Sequence, residues 1–146
     1  MITPRSIFNA ALLALFMLAA MPVAGTAQPK QDAKSRVIAY YFHGTSRCKT
    51  CNTIEAYTKE ALGTFFANAM KDKSLEFMAL DIDQEENDHF IKDYELVSSS
   101  VVLQVVKNGK KGQWKALPKV WELVHEKDKF FQYIQQETNG ILKQKS

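Results

Sequence analysis

The chain carries two cysteines, Cys48 and Cys51, in a Cys-x-x-Cys spacing. The nearly continuous apolar run at residues 37–42 predicts a buried strand before them. After them, apolar residues recur at three- and four-residue steps between positions 54 and 70, which predicts a helix. The thiols are therefore expected where a helix begins, because free backbone N–H groups and the positive end of the helix dipole stabilise a thiolate there. Closing so short a loop removes little chain entropy, so the pair is better suited to chemistry than to stability.

The pattern of the remaining sequence predicts a single α/β domain in which strands and helices alternate. A strand at 75–82, apolar on both faces, is expected at the centre of the sheet, and a helix at 83–94 is expected to begin with a capping box formed by Asp83 and Glu86. The remaining predicted elements are strands at 101–106 and 113–117 joined by an Asn108-Gly109 turn, a short helix at 120–124 and a terminal helix at 130–142.

The first 27 residues have the pattern of an export signal. Arg5 precedes an apolar run at residues 10–21, and Gly25 and Ala27 supply the small residues of a cleavage site, so cleavage is expected after Ala27. The run is shorter than the roughly 20 apolar residues that span a bilayer, so no membrane anchor is expected after cleavage. The predicted organisation is a signal peptide at 1–27, a disordered lead-in at 28–35, a domain at 36–142 and a tail at 143–146.

The composition excludes some partners and cofactors. Arg5 is the only charged residue of the predicted signal, so its removal lowers the net charge of +3 by one, which is too mild a charge to predict nucleic-acid binding. No Gly-x-Gly-x-x-Gly follows a strand, so no nicotinamide or flavin site is predicted, and no organic cofactor is expected. We expect a monomer that acts on thiols or disulfides of partner proteins.

The Cys-x-x-Cys motif after a strand resembles thioredoxin-like disulfide oxidoreductases. More particularly, the segments YYFHGTSRCKTC at 40–51, NTIE at 52–55 and VWELV at 120–124 resemble a small bacterial thioredoxin-like family named nitrophenyl compound nitroreductase subunit. The resemblance extends over residues 36–142. It implies a thioredoxin-like α/β fold, with a four-stranded mixed sheet and helices on both faces. It also implies that Cys48 attacks a disulfide and that Cys51 resolves the mixed disulfide.

Two positions depart from the thioredoxin pattern. Thioredoxins carry a cis-proline in the loop that faces the thiols, where this chain has Ser99 or Ser100. A cis bond at a non-proline residue costs about 3–4 kcal/mol, so a trans serine loop is expected. Thioredoxins also bury an acid beneath the thiols, whereas the nearest residues of the first strand here are Tyr41 and Phe42.

The residues around the thiols leave three functions open. Positive charge on His43, Arg47 and Lys49 would favour a Cys48 thiolate, which supports an exported thiol–disulfide redox protein. A second function is metal binding by Cys48 and Cys51, with His43 as a third ligand or with two thiolates for a soft ion such as Cu(I). A third is a non-catalytic accessory subunit that keeps the fold and binds a redox partner.

Overall fold

Strand β1 (Arg36–His43) lies inside a four-stranded mixed sheet in the computed structural model, which describes residues 35–144. The other strands are β2 (Leu75–Asp81), β3 (Ser100–Lys107) and β4 (Lys110–Ala116), and the strand order is β2-β1-β3-β4. Strand β1 is parallel to β2 and antiparallel to β3, and β4 is antiparallel to β3.

Side chains of β1 alternate between two buried faces. Val37, Ala39 and Tyr41 join one hydrophobic core, whereas Tyr40 and Phe42 join a second core on the opposite face. The continuous apolar run is thus explained by burial on both sides, as predicted.

Helices cover both faces of the sheet. Residues of α1 and α5 complete the first core, and Phe90 and Tyr94, in and just after α3, cover the second. The helices are α1 (Lys49–Phe65), α2 (Ala67–Lys71), α3 (His89–Asp93), α4 (Val120–Leu123) and α5 (Lys127–Gln144).

The predicted central position of β2 is wrong, because β2 is an edge strand. Its two faces contact different cores, but Met78 is 39% exposed because the short α3 covers the second face only in part. Apolar residues on both faces of a strand indicate that other elements pack against both faces of the sheet there. They do not indicate whether both edges of the strand are hydrogen-bonded to neighbouring strands, and for this reason the prediction for β2 was wrong.

Two helix predictions also differ from the structure. The helix expected across residues 54–70 is interrupted at Phe66, whose φ of −129° and ψ of 28° are not helical and whose side chain is buried in the first core. The predicted capping box is absent. A single 3-10 turn at Glu85–Asn87 precedes α3, and its N-cap is Gln84 rather than Asp83.

The order of elements and strands is that of the thioredoxin-like α/β fold, as predicted. The two parallel strands, β1 and β2, are connected through α1 and α2. The predicted signal peptide lies outside the described residues. Between residues 35 and 144, no helix has the length and apolar character needed to cross a membrane.

Candidate active site

Cys48 and Cys51 are joined by a disulfide at the start of α1, with a Cα–Cα distance of 5.1 Å. Cys48 is exposed in the loop before the helix, whereas Cys51 lies in the first helical turn and is only 8% exposed. The two cysteines thus differ in solvent exposure. A partner can reach Cys48, and Cys51 is shielded behind it.

Cys48 is the N-cap residue of α1. Its backbone is extended, with φ −78° and ψ 162°, and its Sγ accepts a hydrogen bond from the Cys51 backbone N–H at 3.0 Å. An N-cap side chain normally satisfies a free N–H of the first turn, and here sulfur does so. The first turn of α1 contains no acidic residue. Once the disulfide is reduced, these features stabilise negative charge on Cys48.

Arg47 precedes the N-cap but is paired with an acid. Its guanidinium forms an ion pair with the Glu55 carboxylate and lies 5.8 Å from the centroid of the Tyr41 ring. The sequence predicted that the positive charge of Arg47 would lie near the thiols, but it did not predict that Glu55 would neutralise part of that charge. Glu55 is one helical turn beyond Cys51, so helical spacing could have placed it near the thiols, but not against Arg47, which is eight residues away and outside α1.

His43 and Lys49 lie on either side of the loop. The His43 ring is 5.8 Å from the Tyr41 ring, centroid to centroid, and its Nδ1 lies 3.0 Å from the Gly44 carbonyl oxygen. Lys49 is the first residue of α1 and is exposed. The His43 ring therefore lies near the aromatic residue under the site, and Lys49 adds charge at the solvent side.

The two serines have different environments. The Ser99 carbonyl accepts a hydrogen bond from Trp121 Nε1 at 2.9 Å, and the Ser99 side chain partly opposes the rise in the pKa of the Tyr41 phenol. Ser100 begins β3, pairs with Phe42 of β1 and donates its hydroxyl to the Ser98 carbonyl at 2.8 Å. Of the two, Ser99 is the residue connected to the surroundings of the disulfide.

Tyr41 was expected beneath the thiols together with Phe42, but the sequence predicted no role for it in the site. It is fully buried, and its hydroxyl donates a hydrogen bond to the Cys51 carbonyl oxygen at 2.8 Å. Burial raises the pKa of the Tyr41 phenol, although neighbouring Arg47 and Ser99 oppose the shift. The alternation of side chains along β1 could have distinguished Tyr41 from Phe42, because Tyr41 must face α1 when Tyr40 and Phe42 face away.

The loop before Cys48 is held by hydrogen bonds to two aspartates, Asp81 at the end of β2 and Asp83 just beyond it. Thr45 donates its backbone N–H to Asp83 Oδ2 at 2.8 Å and its hydroxyl to Asp81 Oδ2 at 2.7 Å. The Thr45 hydroxyl contributes most to holding the pKa of the Asp81 carboxyl below its ordinary value. A Cβ at Gly44 would lie 2.9 Å from Asp83 Oδ2, so the close approach favours glycine. Asp83 thus fixes this loop instead of capping a helix.

Within residues 35–144, no three or more His, Cys, Asp or Glu side chains are grouped as a metal site. His43 is therefore not gathered with the two cysteines into the three-ligand set considered from the sequence. A site made of two thiolates alone would require the disulfide to be reduced.

No known protein-family profile matches the chain, and no curated protein matches it. Among solved structures it is similar to a thioredoxin from Thermus thermophilus, with 17% identity, 70% of this chain and 74% of that chain covered, and a TM-score of 0.46. It is also similar to a mutant thioredoxin from Entamoeba histolytica, with 17% identity, coverage of 71% and 84%, and a TM-score of 0.41. Thioredoxin O2 from Arabidopsis thaliana, in the oxidized state, shows 20% identity, coverage of 66% and 76%, and a TM-score of 0.38.

The strand order and connections define a thioredoxin-like domain without help from these distant similarities. Its Cys-x-x-Cys disulfide lies at the start of the helix that follows the first strand. The class of protein is therefore a thioredoxin-like domain with a Cys-x-x-Cys disulfide, an arrangement that supports a thiol–disulfide redox role.

Proposed function

We propose that this protein is an exported thiol–disulfide redox protein that acts on a disulfide or dithiol of a partner protein. The observation that carries the proposal is the position of Cys48, which is exposed and caps α1 with its sulfur on the Cys51 N–H. A sulfur at this position is accessible to a partner and is stabilised as the reactive thiolate.

The proposed reaction has two exchange steps. The Cys48 thiolate attacks one sulfur of a partner disulfide, forming a mixed disulfide, and the other partner sulfur leaves as a thiolate and takes up a proton. Cys51 then loses its proton and attacks Cys48 Sγ. The bond between Cys48 and the partner breaks, the second partner sulfur leaves, and the Cys48–Cys51 disulfide forms. Two electrons pass to the partner, and the reverse sequence oxidises a partner dithiol.

Export is supported by the N-terminal sequence and suits the chemistry. The apolar run with its small-residue cleavage site is typical of a secretory signal. Outside the cytosol, a disulfide such as Cys48–Cys51 persists without continuous reduction by glutathione and thioredoxin systems. Within the thioredoxin-like class, the segments at 40–51 and 120–124 support membership of the nitrophenyl compound nitroreductase subunit family.

The test combines a thiol–disulfide titration with the pH dependence of alkylation by iodoacetamide. We expect one two-electron transition, unchanged by a chelator, and we expect Cys48 in the Cys51→Ser variant to titrate below the ordinary thiol pKa of about 8.5. Cys48→Ser is the matched variant, in which the shielded Cys51 should alkylate slowly. An ordinary profile for Cys48, or faster alkylation of Cys51, would contradict the proposal. Release of a bound ion to the chelator would favour the metal-binding function instead.

A further inference from the structure

We propose that Tyr41 is a positioning residue for the resolving thiol, holding Cys51 in place through its backbone carbonyl. The proposal rests on the proposed function, because it assigns Tyr41 to the second exchange step. It concerns a buried hydroxyl that the two-step reaction does not itself require.

The first argument is the contact between Tyr41 and the first turn of α1. Tyr41 Oη donates to the Cys51 carbonyl oxygen at 2.8 Å, and both groups are shielded from solvent. A buried carbonyl oxygen has two lone pairs, so it can accept this bond in addition to one within the helix. The hydrogen bond is therefore directed at the residue whose sulfur must move onto Cys48.

The second argument is the rigidity of the strand that supplies the hydroxyl. Tyr41 lies in β1 two residues before its end, with Ala79 of β2 and Val101 of β3 as its register partners. The side chain is fully buried in the first core. A group on a strand paired on both sides is better fixed than a group on a loop, so Tyr41 can serve as a fixed reference for α1.

The third argument is that Tyr41 connects the segments around the disulfide. Its ring lies 5.8 Å from the Arg47 guanidinium, and Ser99 is near enough to its phenol to oppose the rise of the phenol pKa. The loop before Cys48, the first turn of α1 and the loop before β3 therefore meet at one side chain. These are the segments that must keep their relative positions while a partner is bound to Cys48.

The chemistry of the phenol favours positioning over proton transfer. Because burial raises its pKa, the Tyr41 hydroxyl stays protonated at neutral pH and acts as a hydrogen-bond donor. It also introduces no negative charge beside the sulfurs. Tyr41 thus occupies the place beneath the thiols as a neutral donor, and the Cys51 proton has to leave by another route.

The affected step is the attack of Cys51 on the mixed disulfide. In that step the Cys51 thiolate forms a bond to Cys48 Sγ, and the bond from Cys48 to the partner sulfur breaks with the electron pair on the leaving sulfur. Attack requires the three sulfurs to be aligned, so small displacements of the Cys51 backbone slow it. Formation of the mixed disulfide depends on the exposed Cys48 and should be far less sensitive.

The experiment compares Tyr41→Phe with Tyr40→Phe. Each variant removes one buried phenol oxygen from β1, but Tyr40 faces the second core, away from the disulfide. The full-length reduced protein is mixed with an activated aromatic disulfide, and release of the first and second aromatic thiols is followed by stopped-flow absorbance. We expect Tyr41→Phe to slow the second release about three- to tenfold, consistent with the loss of one hydrogen bond. The first release and the pKa of Cys48, which depend on Cys51 only through its backbone N–H, should change much less than the second release.

Each outcome decides between roles. A second release at the wild-type rate in Tyr41→Phe, or equal slowing in Tyr40→Phe, overturns the positioning role while leaving the proposed function intact. Equal slowing of both releases in Tyr41→Phe would indicate a general structural defect and also overturns it. A wild-type protein that releases no aromatic thiol overturns the proposed function together with this inference. Thermal unfolding of both variants checks that each retains the fold.

Discussion

Arg47 lies directly before Cys48 in the chain, but its charge is shared with the Glu55 carboxylate. Both side chains are partly exposed, at 28% and 25%, so solvent weakens the pair without removing it. Arg47 therefore stabilises the Cys48 thiolate less than an unpaired guanidinium would, because Glu55 neutralises part of its charge. Glu55 becomes the residue that limits how strongly Arg47 can stabilise the thiolate.

We predict that Glu55→Gln lowers the pKa of the reduced Cys48 thiol by about half a unit, as expected for a partly exposed ion pair. The physical reason is that the freed Arg47 guanidinium can turn towards the thiolate. The measurement is the pH dependence of Cys48 alkylation in a Cys51→Ser background. The shift should shrink at high salt, because exposed charges are screened.

Glu60→Gln is the control for this prediction. It removes an acid from the same helix, where Glu60 pairs with Lys127 at 2.7 Å. The Cys48 pKa should not move in this variant, and the shift from Glu55→Gln should disappear when Arg47→Ala is added. A shift that persists without Arg47 would show that Glu55 acts on the sulfur directly.

At the scale of single elements, two glycines differ in backbone conformation although an added Cβ would contact nothing within 4 Å at either. Gly140 lies in α5, whereas Gly109 forms the β3–β4 turn with Asn108 at a φ of +74°. We expect Gly140→Ala to raise the free energy of unfolding by about 0.5–1 kcal/mol, because alanine loses less backbone entropy in a helix. Urea denaturation of the oxidised protein measures this change.

Gly109→Ala should act in the opposite direction and lower the free energy of unfolding by about 1 kcal/mol, because a Cβ is unfavourable at this positive φ. The two variants make the same chemical change, so their difference isolates the backbone conformation. If both variants changed stability in the same direction, the conformations assigned to α5 and to the turn would be wrong.

Most elements could be predicted from the sequence because their signals are local. The Asn108-Gly109 turn was predicted and is confirmed by positive φ at both residues. The interruption at Phe66 could not be predicted, because the apolar spacing continues across it and only the packed core shows that this ring is buried. Asp83 was misassigned for a related reason. Its partner, Thr45, is 38 residues away in the chain.

For the molecule as a whole, the fold was predictable and much of the candidate site was not. The fold follows from the order of elements, which periodicity and turn residues indicate. The contacts of Tyr41 with Cys51 and Arg47 join residues of β1, α1 and the loop before α1, so they depend on the tertiary packing of all three. Helical spacing predicts that Glu55 lies on the same face of α1 as Cys51, but its pairing with Arg47 depends on the path of the loop before α1.

The final prediction concerns processing of the whole chain. The core described above is formed by residues 37–141, and the proposed signal lies entirely before it. If the protein is exported, the form isolated outside the cytosol should begin at Gln28, and its intact mass measures this directly. Ala27→Asp should cause the uncleaved chain to accumulate, because the peptidase site requires a small residue there. Ala33→Asp makes the same change beyond the site and should leave processing normal. An exported wild-type form that retains residues 1–27 would contradict cleavage at this site and favour an N-terminal anchor instead.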